Sequence, residues 1–147
     1  SIHLAPENPT CIVDQGQIKQ VFMNLLMNAL QATPSGGSVT LSTSFLHGSD
    51  GRDYCAIEVQ DTGSGISAEH QEQIFDPFFT TKDSGVGLGL FITHQIIKEH
   101  GGSISVESEL EQGTHFMIRL PIARLFAPET IVPEGESFAS ESSTVLL

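Results

Sequence analysis

Gln20, Asn24 and Asn28 recur at four-residue spacing within QGQIKQVFMNLLMNALQA. On a helix that spacing lines the three amides along one face. Asn24 and Asn28 could then offer carbonyl oxygens to a hard cation such as Mg2+, or amide donors to phosphate; a solvated polar face is the alternative. Asp61 closes the run YCAIEVQD and shares parity with Cys55, Ile57 and Val59, which aims it at the buried side of a strand. A carboxylate there needs a donor. An adenine exocyclic amine would serve. Thr114, in step with Phe116, Ile118 and Leu120, could assist through its hydroxyl or a water. An Asx turn closing the strand accounts for the D-x-G equally well. The third feature is SGVGLGL at 84–90, where backbone N–H groups of Gly87, Leu88 and Gly89 could receive phosphate oxygens at a helix start. Lys82 adds a point charge just upstream. The cluster is not G-x-G-x-x-G, follows a loop rather than a strand, and lacks a P-loop lysine, so the dinucleotide and P-loop readings fail. A flexible hinge remains the alternative.

The elements that must hold these residues are legible from period and punctuation. Asp14 and Gln17 fit a capping box ahead of Ile18, Val21, Phe22, Leu25, Leu26, Ala29 and Leu30, whose three- and four-residue steps predict an amphipathic helix stopped by TPSGG. Residues 38–45 alternate, with Val39, Leu41, Thr43 and Phe45 on one side, and an HGSDG loop links them to a strand over 54–60. Ser67 can cap a short helix over 68–74; residues 75–86 show no period and read as a long functional loop. A second long helix is predicted over 87–99, closed by Gly101, and strands over 103–107 and 114–120. The order strand, helix, strand, strand, helix, loop, helix, strand, strand predicts an α+β fold. Its form would be a two-layer sandwich, with a mixed, mostly antiparallel sheet covered on one face by about three helices, not a doubly wound fold.

Composition narrows the partners. The chain has 147 residues and a net charge of −12, which argues against broad binding to nucleic acid or to an anionic membrane surface. An anionic ligand must then be held by backbone dipoles, a metal ion or a few placed lysines. Two cysteines without a CxxC pair exclude a metal–thiolate cluster and make a disulfide framework improbable. No apolar run approaches the roughly 20 residues that span a bilayer. After Pro121 the sequence turns Ser-, Pro- and Glu-rich, so residues 1–121 read as the domain and 122–147 as an acidic tail or linker.

In combination, the motifs resemble the catalytic ATP-binding domain of sensor histidine kinases, within the superfamily shared with gyrase-type topoisomerases and mismatch-repair ATPases. QVFMNLLMNALQATP looks like the N box, VQDTGSGIS the G1 box, IFDPFFTTK the F box and SGVGLGLFITHQIIKEHGG the G2 box. EQGTHFMIRLP resembles the closing strand, so the likeness covers about 11–121; the FFTTK-to-GLGL lid most resembles the nitrogen-regulatory class. The resemblance implies a Bergerat-type fold, ATP and Mg2+ as cofactors, and transfer of the γ-phosphoryl group to a histidine, then to an aspartate of a response regulator. Asn24 and Asn28 would hold Mg2+ and the triphosphate, with Asn24 and Lys82 the catalytic pair. Asp61 would read the adenine amine, with Gly63, Gly65, Ile66 and Thr114 shaping that end. Phe75, Phe78 and Phe79 would anchor the lid, while Lys82 and the backbone of Gly85, Gly87, Leu88 and Gly89 close over the phosphates.

Two departures matter. Gln20 stands where the topoisomerase branch has a water-activating glutamate, and a neutral amide is no general base, which implies slow ATP hydrolysis. Phe91 follows GLGL where many relatives carry a small residue. The phosphoacceptor histidine is expected elsewhere: His3, His47, His70, His94, His100 and His115 all lack the following acidic residue of the family's H-[ED] context. The implied partners are a separate dimerisation hairpin of the same parent and a receiver domain. The apolar end Thr144–Leu147 resembles a receiver's opening strand, although a disordered or docked tail fits equally. The isolated domain is expected to be cytoplasmic and monomeric, without direct membrane contact. A non-catalytic nucleotide sensor and a topoisomerase-type ATPase are the competing functions.

Overall fold

The computed structural model describes residues 1–6, 8–83, 85–123 and 145–146. Helix α1 (Gln15–Ala32) starts where the Asp14 carboxylate accepts the Gln17 N–H at 2.9 Å, the predicted cap, and stops at Thr33, whose N–H returns to the Ala29 carbonyl. Strands β1 (Ile2–His3), β3 (Val39–His47), β4 (Asp53–Asp61), β5 (Ser103–Glu109) and β6 (Gly113–Pro121) make one five-stranded sheet in the order β1-β3-β4-β6-β5. Only β1 joins in parallel, to β3, so the sheet is mixed and mostly antiparallel, as the pattern predicts. A second, two-stranded ladder pairs β2 (Thr10–Cys11) with β7 (Val145–Leu146). The tether expected over 122–144 lies, from 124 onward, outside the described residues.

Helices α1 and α3 (Gly89–Glu99) lie on one face, and their apolar stripes meet the inward residues of the central strands. Ile18, Val21, Leu25 and Ala29 of α1 and Ile96 and Ile97 of α3 close over Cys55, Ile57 and Val59 of β4 and Phe116, Ile118 and Leu120 of β6, all buried. The parity that buries Val59 also carries Asp61 inward, and the parity of Phe116 does the same for Thr114.

Four expectations are corrected. The short helix α2 covers only Ala68–Gln71, capped by Ser67, and gives way to turns that still bury Ile74. Helix α3 begins at Gly89, two residues late, because Gly87 holds a φ of 74° that no right-handed helix can include. Leu30 is 60% exposed: it sits about 100° round the helix from Ala29, outside what one flat contact covers. Phe45 is 46% exposed because β1 flanks β3 only at Leu41 and Ser42, leaving the hairpin end an uncovered edge.

Candidate functional site

One cavity of about 570 Å³ opens between α1, the end of β4, α2 and the loop leading to α3. Its deep end is built by strand register. Asp61 pairs across β4–β6 with Thr114, and Thr114 across β5–β6 with Ser108, so three polar side chains meet in a row on the inward face. Asp61 is 4% exposed and its Oδ1 accepts the Gly63 N–H at 2.8 Å, an Asx turn. Oδ2 takes no hydrogen bond from a described residue, and Asp61 lines the cavity. The Asx-turn reading of D-x-G is thus what the structure forms, and it occupies only one of the two carboxylate oxygens. Ser108 Oγ donates to the Gly113 carbonyl at 2.7 Å and accepts the Ile66 N–H at 2.8 Å. Its single proton is spent on a carbonyl that can only accept, so in the 2.9 Å contact with Thr114 the Thr114 hydroxyl is the donor. Thr114 consequently offers the cavity lone pairs. Two acceptors side by side suit an amine donor.

Gly65 is required here by space as well as conformation. Its φ is 71°, and a Cβ would stand 2.1 Å from the Glu109 carbonyl oxygen, so the turn lies flat on the β5 end. Gln71 ties the same turn down, its Nε2 donating to the carbonyls of Ile66 and Ser108, both at 2.8 Å.

The open end is assembled differently. Helix α3 starts without a side-chain cap, and Gly87, Leu88 and Gly89 line the cavity. First-turn N–H groups with no intrahelical partner carry partial positive charge, a natural seat for an anion. The loop before the helix is pinned by the Phe78 N–H, which donates to the Gly87 carbonyl at 2.8 Å. Lys82 reaches across the mouth: its Nζ donates to Asn28 Oδ1 at 3.2 Å and to Gln31 Oε1. The carboxylate of Asp61 and the ammonium of Lys82 thus mark opposite ends of one space.

The expected residues distribute unevenly. Asn28, Asp61, Gly65, Ile66, Lys82, Gly85, Gly87, Leu88, Gly89 and Thr114 border the cavity. Asn24 stands just behind its wall, where Nδ2 donates to the Gly89 carbonyl at 3.1 Å and to Thr93 Oγ1 at 3.3 Å, locking α1 to the start of α3. Gly63 contributes its amide to the Asx turn without lining the space. Phe75 packs under the loop against His94 and Phe116, at 5.3 and 6.4 Å between ring centroids. Phe78 is 70% exposed, so its backbone and not its ring meets the loop, whereas Phe79 lines the cavity edge-on to His70 at 5.3 Å. Gln20 is exposed and outside the cavity.

Sequence reasoning passed over Gln31, Ser108, Gln71 and His70. Gln31 continues the amide stripe three residues past Asn28, and Ser108 is a polar residue on the buried parity of Ile104 and Val106; both signals were present in the sequence. For Gln71 and His70 only the turn geometry reveals a role.

A mixed sheet covered on one face by helices frames a cleft lined by the Asp61 and Thr114 acceptors at depth and by the Lys82 ammonium at its mouth. Residues 13–124 match the family described as histidine kinase-, DNA gyrase B- and HSP90-like ATPases, and the chain belongs to that family. It is similar to the sensor kinase CckA of Brucella abortus, 46% identical over an alignment of 120 positions that covers 74% of this chain and 13% of that protein. It is also similar to sporulation kinase C of Bacillus subtilis, 41% identical over 118 residues, 79% of this chain and 26% of that one. The chain therefore spans about a quarter or less of these relatives. Among solved structures, the nucleotide-free catalytic domain of histidine kinase ThkA superposes with a TM-score of 0.70 at 35% identity, covering 82% of this chain and 77% of that one. Full-length ShkA in complex with AMPPNP does so with a TM-score of 0.66 at 30% identity, covering 88% and 27%.

Proposed function

We propose that the chain is the ATP-binding catalytic domain of a two-component sensor histidine kinase, positioning the γ-phosphoryl group for transfer to a histidine on a separate dimerising hairpin of the same parent. The observation that carries this reading is the polarity of the cavity: Asp61 and Thr114 as paired acceptors at depth, Lys82 and the uncapped α3 start at the mouth. Asp61 accepts from the adenine amine, and Thr114 from the same amine or a water. The N–H groups of Leu88 and Gly89, with Lys82 Nζ, take the phosphate oxygens, and Asn24 keeps that helix start in place. Phosphoryl transfer asks mainly for such positioning and charge neutralisation.

Mg2+ fits the donors in a limited way. Among the described residues no three His, Cys, Asp or Glu side chains converge, so the protein ligands are neutral amides, Asn28 and Asn24. Asn28 Oδ1 already faces the Lys82 ammonium, a cation. Two amides hold Mg2+ weakly, so the ion comes with the phosphates and supplies the charge neutralisation that a triphosphate needs on a −12 chain. The FFTTK-to-GLGL lid supports placement in the nitrogen-regulatory class. Residues 1–121 form the catalytic unit and 122–147 its acidic linker. The receiver domain of a response regulator is the downstream partner. No described helix is long and apolar enough to cross a membrane, and we place the domain in the cytoplasm as a monomer, without nucleic-acid partners.

The test mixes this chain with the parent's hairpin and γ-labelled ATP. Acid-labile label on the hairpin histidine is expected. Nucleotide binding without transfer would leave a sensor, and rapid steady-state hydrolysis by the chain alone would leave a topoisomerase-type ATPase.

A further inference from the structure

Ser108 on β5 stands behind the deep wall of the cleft without lining it, and every hydrogen-bonding position of its hydroxyl is filled. Its proton goes to the Gly113 carbonyl at 2.7 Å. One lone pair takes the Ile66 N–H at 2.8 Å, and the other takes the Thr114 hydroxyl at 2.9 Å. Strand pairing fixes this arrangement: Ser108 faces Thr114 across β5–β6, and the Ser108 carbonyl is held by Gln71 Nε2 at 2.8 Å. The buried Thr114 hydroxyl has no other partner among the described residues and makes no hydrogen bond to Asp61. A threonine hydroxyl ordinarily turns about its C–O bond and offers a proton or a lone pair as its neighbour requires. Here Ser108 takes the proton away from the cleft.

We propose that Ser108 is a positioning residue for base selection, a role that rests on the ATP-binding function proposed for this cleft: by holding the Thr114 proton, it makes the deep end reject 6-oxopurine nucleotides in favour of 6-aminopurines. Asp61 alone discriminates poorly between the two. Inosine carries a donor at N1 beside the oxo group at C6, and a carboxylate accepts from that N1–H as readily as from an exocyclic amine. What separates the bases is the group left to Thr114. An amine has a second proton for the Thr114 lone pairs, directly or through a water. An oxo group meets those lone pairs acceptor against acceptor, in a buried place where an unmatched polar group is costly. With the Ser108 hydroxyl gone, the Thr114 proton is free to turn into the cleft and donate to the oxo group. Selectivity for the base is then set one strand behind the residue that touches it.

The experiment measures by calorimetry how tightly the full chain binds ATP and inosine triphosphate, each with Mg2+, as wild type and as Ser108→Ala, Ser108→Thr, Thr114→Val and the double variant Ser108→Ala with Thr114→Val. The wild type should favour ATP about 100-fold. Ser108→Ala should shrink that ratio to about tenfold or less, chiefly by tightening inosine triphosphate, and Ser108→Thr, which returns the hydroxyl, should restore it. In the Thr114→Val background, Ser108→Ala should leave the ratio where Thr114→Val alone puts it, since no Thr114 proton remains to be released. Should Ser108→Ala fail to fold, Ser108→Cys carries the same expectation, because sulfur keeps the space but accepts hydrogen bonds weakly. Losses by one common factor for both nucleotides, a change of ratio that persists without the Thr114 hydroxyl, or a wild type that binds the two nucleotides equally would overturn the role of Ser108 while leaving ATP binding in place. A wild type that binds neither nucleotide would overturn the ATP-binding function, and this role with it.

Discussion

The two ends of the cleft are built from opposite materials. At the depth, Asp61, Thr114 and Ser108 are held by the register of three paired strands, and two of the three are buried to 4% and 5%. At the mouth, Lys82 is exposed, Phe78 holds a left-handed φ of 67°, and the span from α1 to the loop rests on a long ammonium side chain gripping Asn28 and Gln31. A network inside a sheet keeps its geometry with or without ligand; a surface lysine and a turn can rearrange at small cost. Under the proposed function, the contrast assigns recognition to the sheet and adjustment to the loop.

The largest effect should come from removing the deep acceptor. Asp61→Asn keeps an oxygen for the Gly63 N–H, so the fold survives, but replaces charge with an amide that sets a donor against an amine. ATP affinity by calorimetry should fall about 100-fold, roughly 2.7 kcal/mol, with the melting point little changed. Unaltered affinity would break the comparison at its stronger half. Next, Gly65→Ala forces a Cβ against the Glu109 carbonyl at a positive φ. It should cost about 2 kcal/mol in denaturant unfolding.

The deep end was also the more legible one in the sequence. Strand parity put Asp61 and Thr114 on the inward face because alternation has a period of two and admits no drift. Ser108, a polar residue in step with Ile104 and Val106, obeys the same rule but was passed over because the strand was expected to end at 107, two residues short. The mouth resisted because residues 75–86 have no period, and turns are set by φ values and backbone hydrogen bonds that side-chain pattern does not encode. Gly87 was therefore placed inside a helix that starts two residues later. Phe78 and Phe79 look equivalent as letters, yet the positive φ at Phe78 turns its ring outward while Phe79 turns in.

At the mouth, Lys82→Ala should weaken ATP about tenfold and adenosine not at all, with the difference shrinking as salt rises, since an exposed charge is screened within about 10 Å at 0.1 M. Equal losses for both ligands would mean that Lys82 shapes the cavity and is not a phosphate contact.

The adjacent phenylalanines give the smallest and sharpest test of how the loop is held. If the loop is anchored through the Phe78 backbone, its side chain is expendable: Phe78→Ala retains the N–H bonded to Gly87 and gives up a ring that is already 70% in water. Stability should stay within about 0.5 kcal/mol and ATP affinity within about twofold. Phe79→Ala strips the cavity of a lining ring and its contact with His70, and should cost about 1 kcal/mol of binding. A Phe78 effect equal to or above that of Phe79 would mean that the exposed ring meets the ligand, and that the loop closes further over the cleft than its resting hydrogen bonds imply.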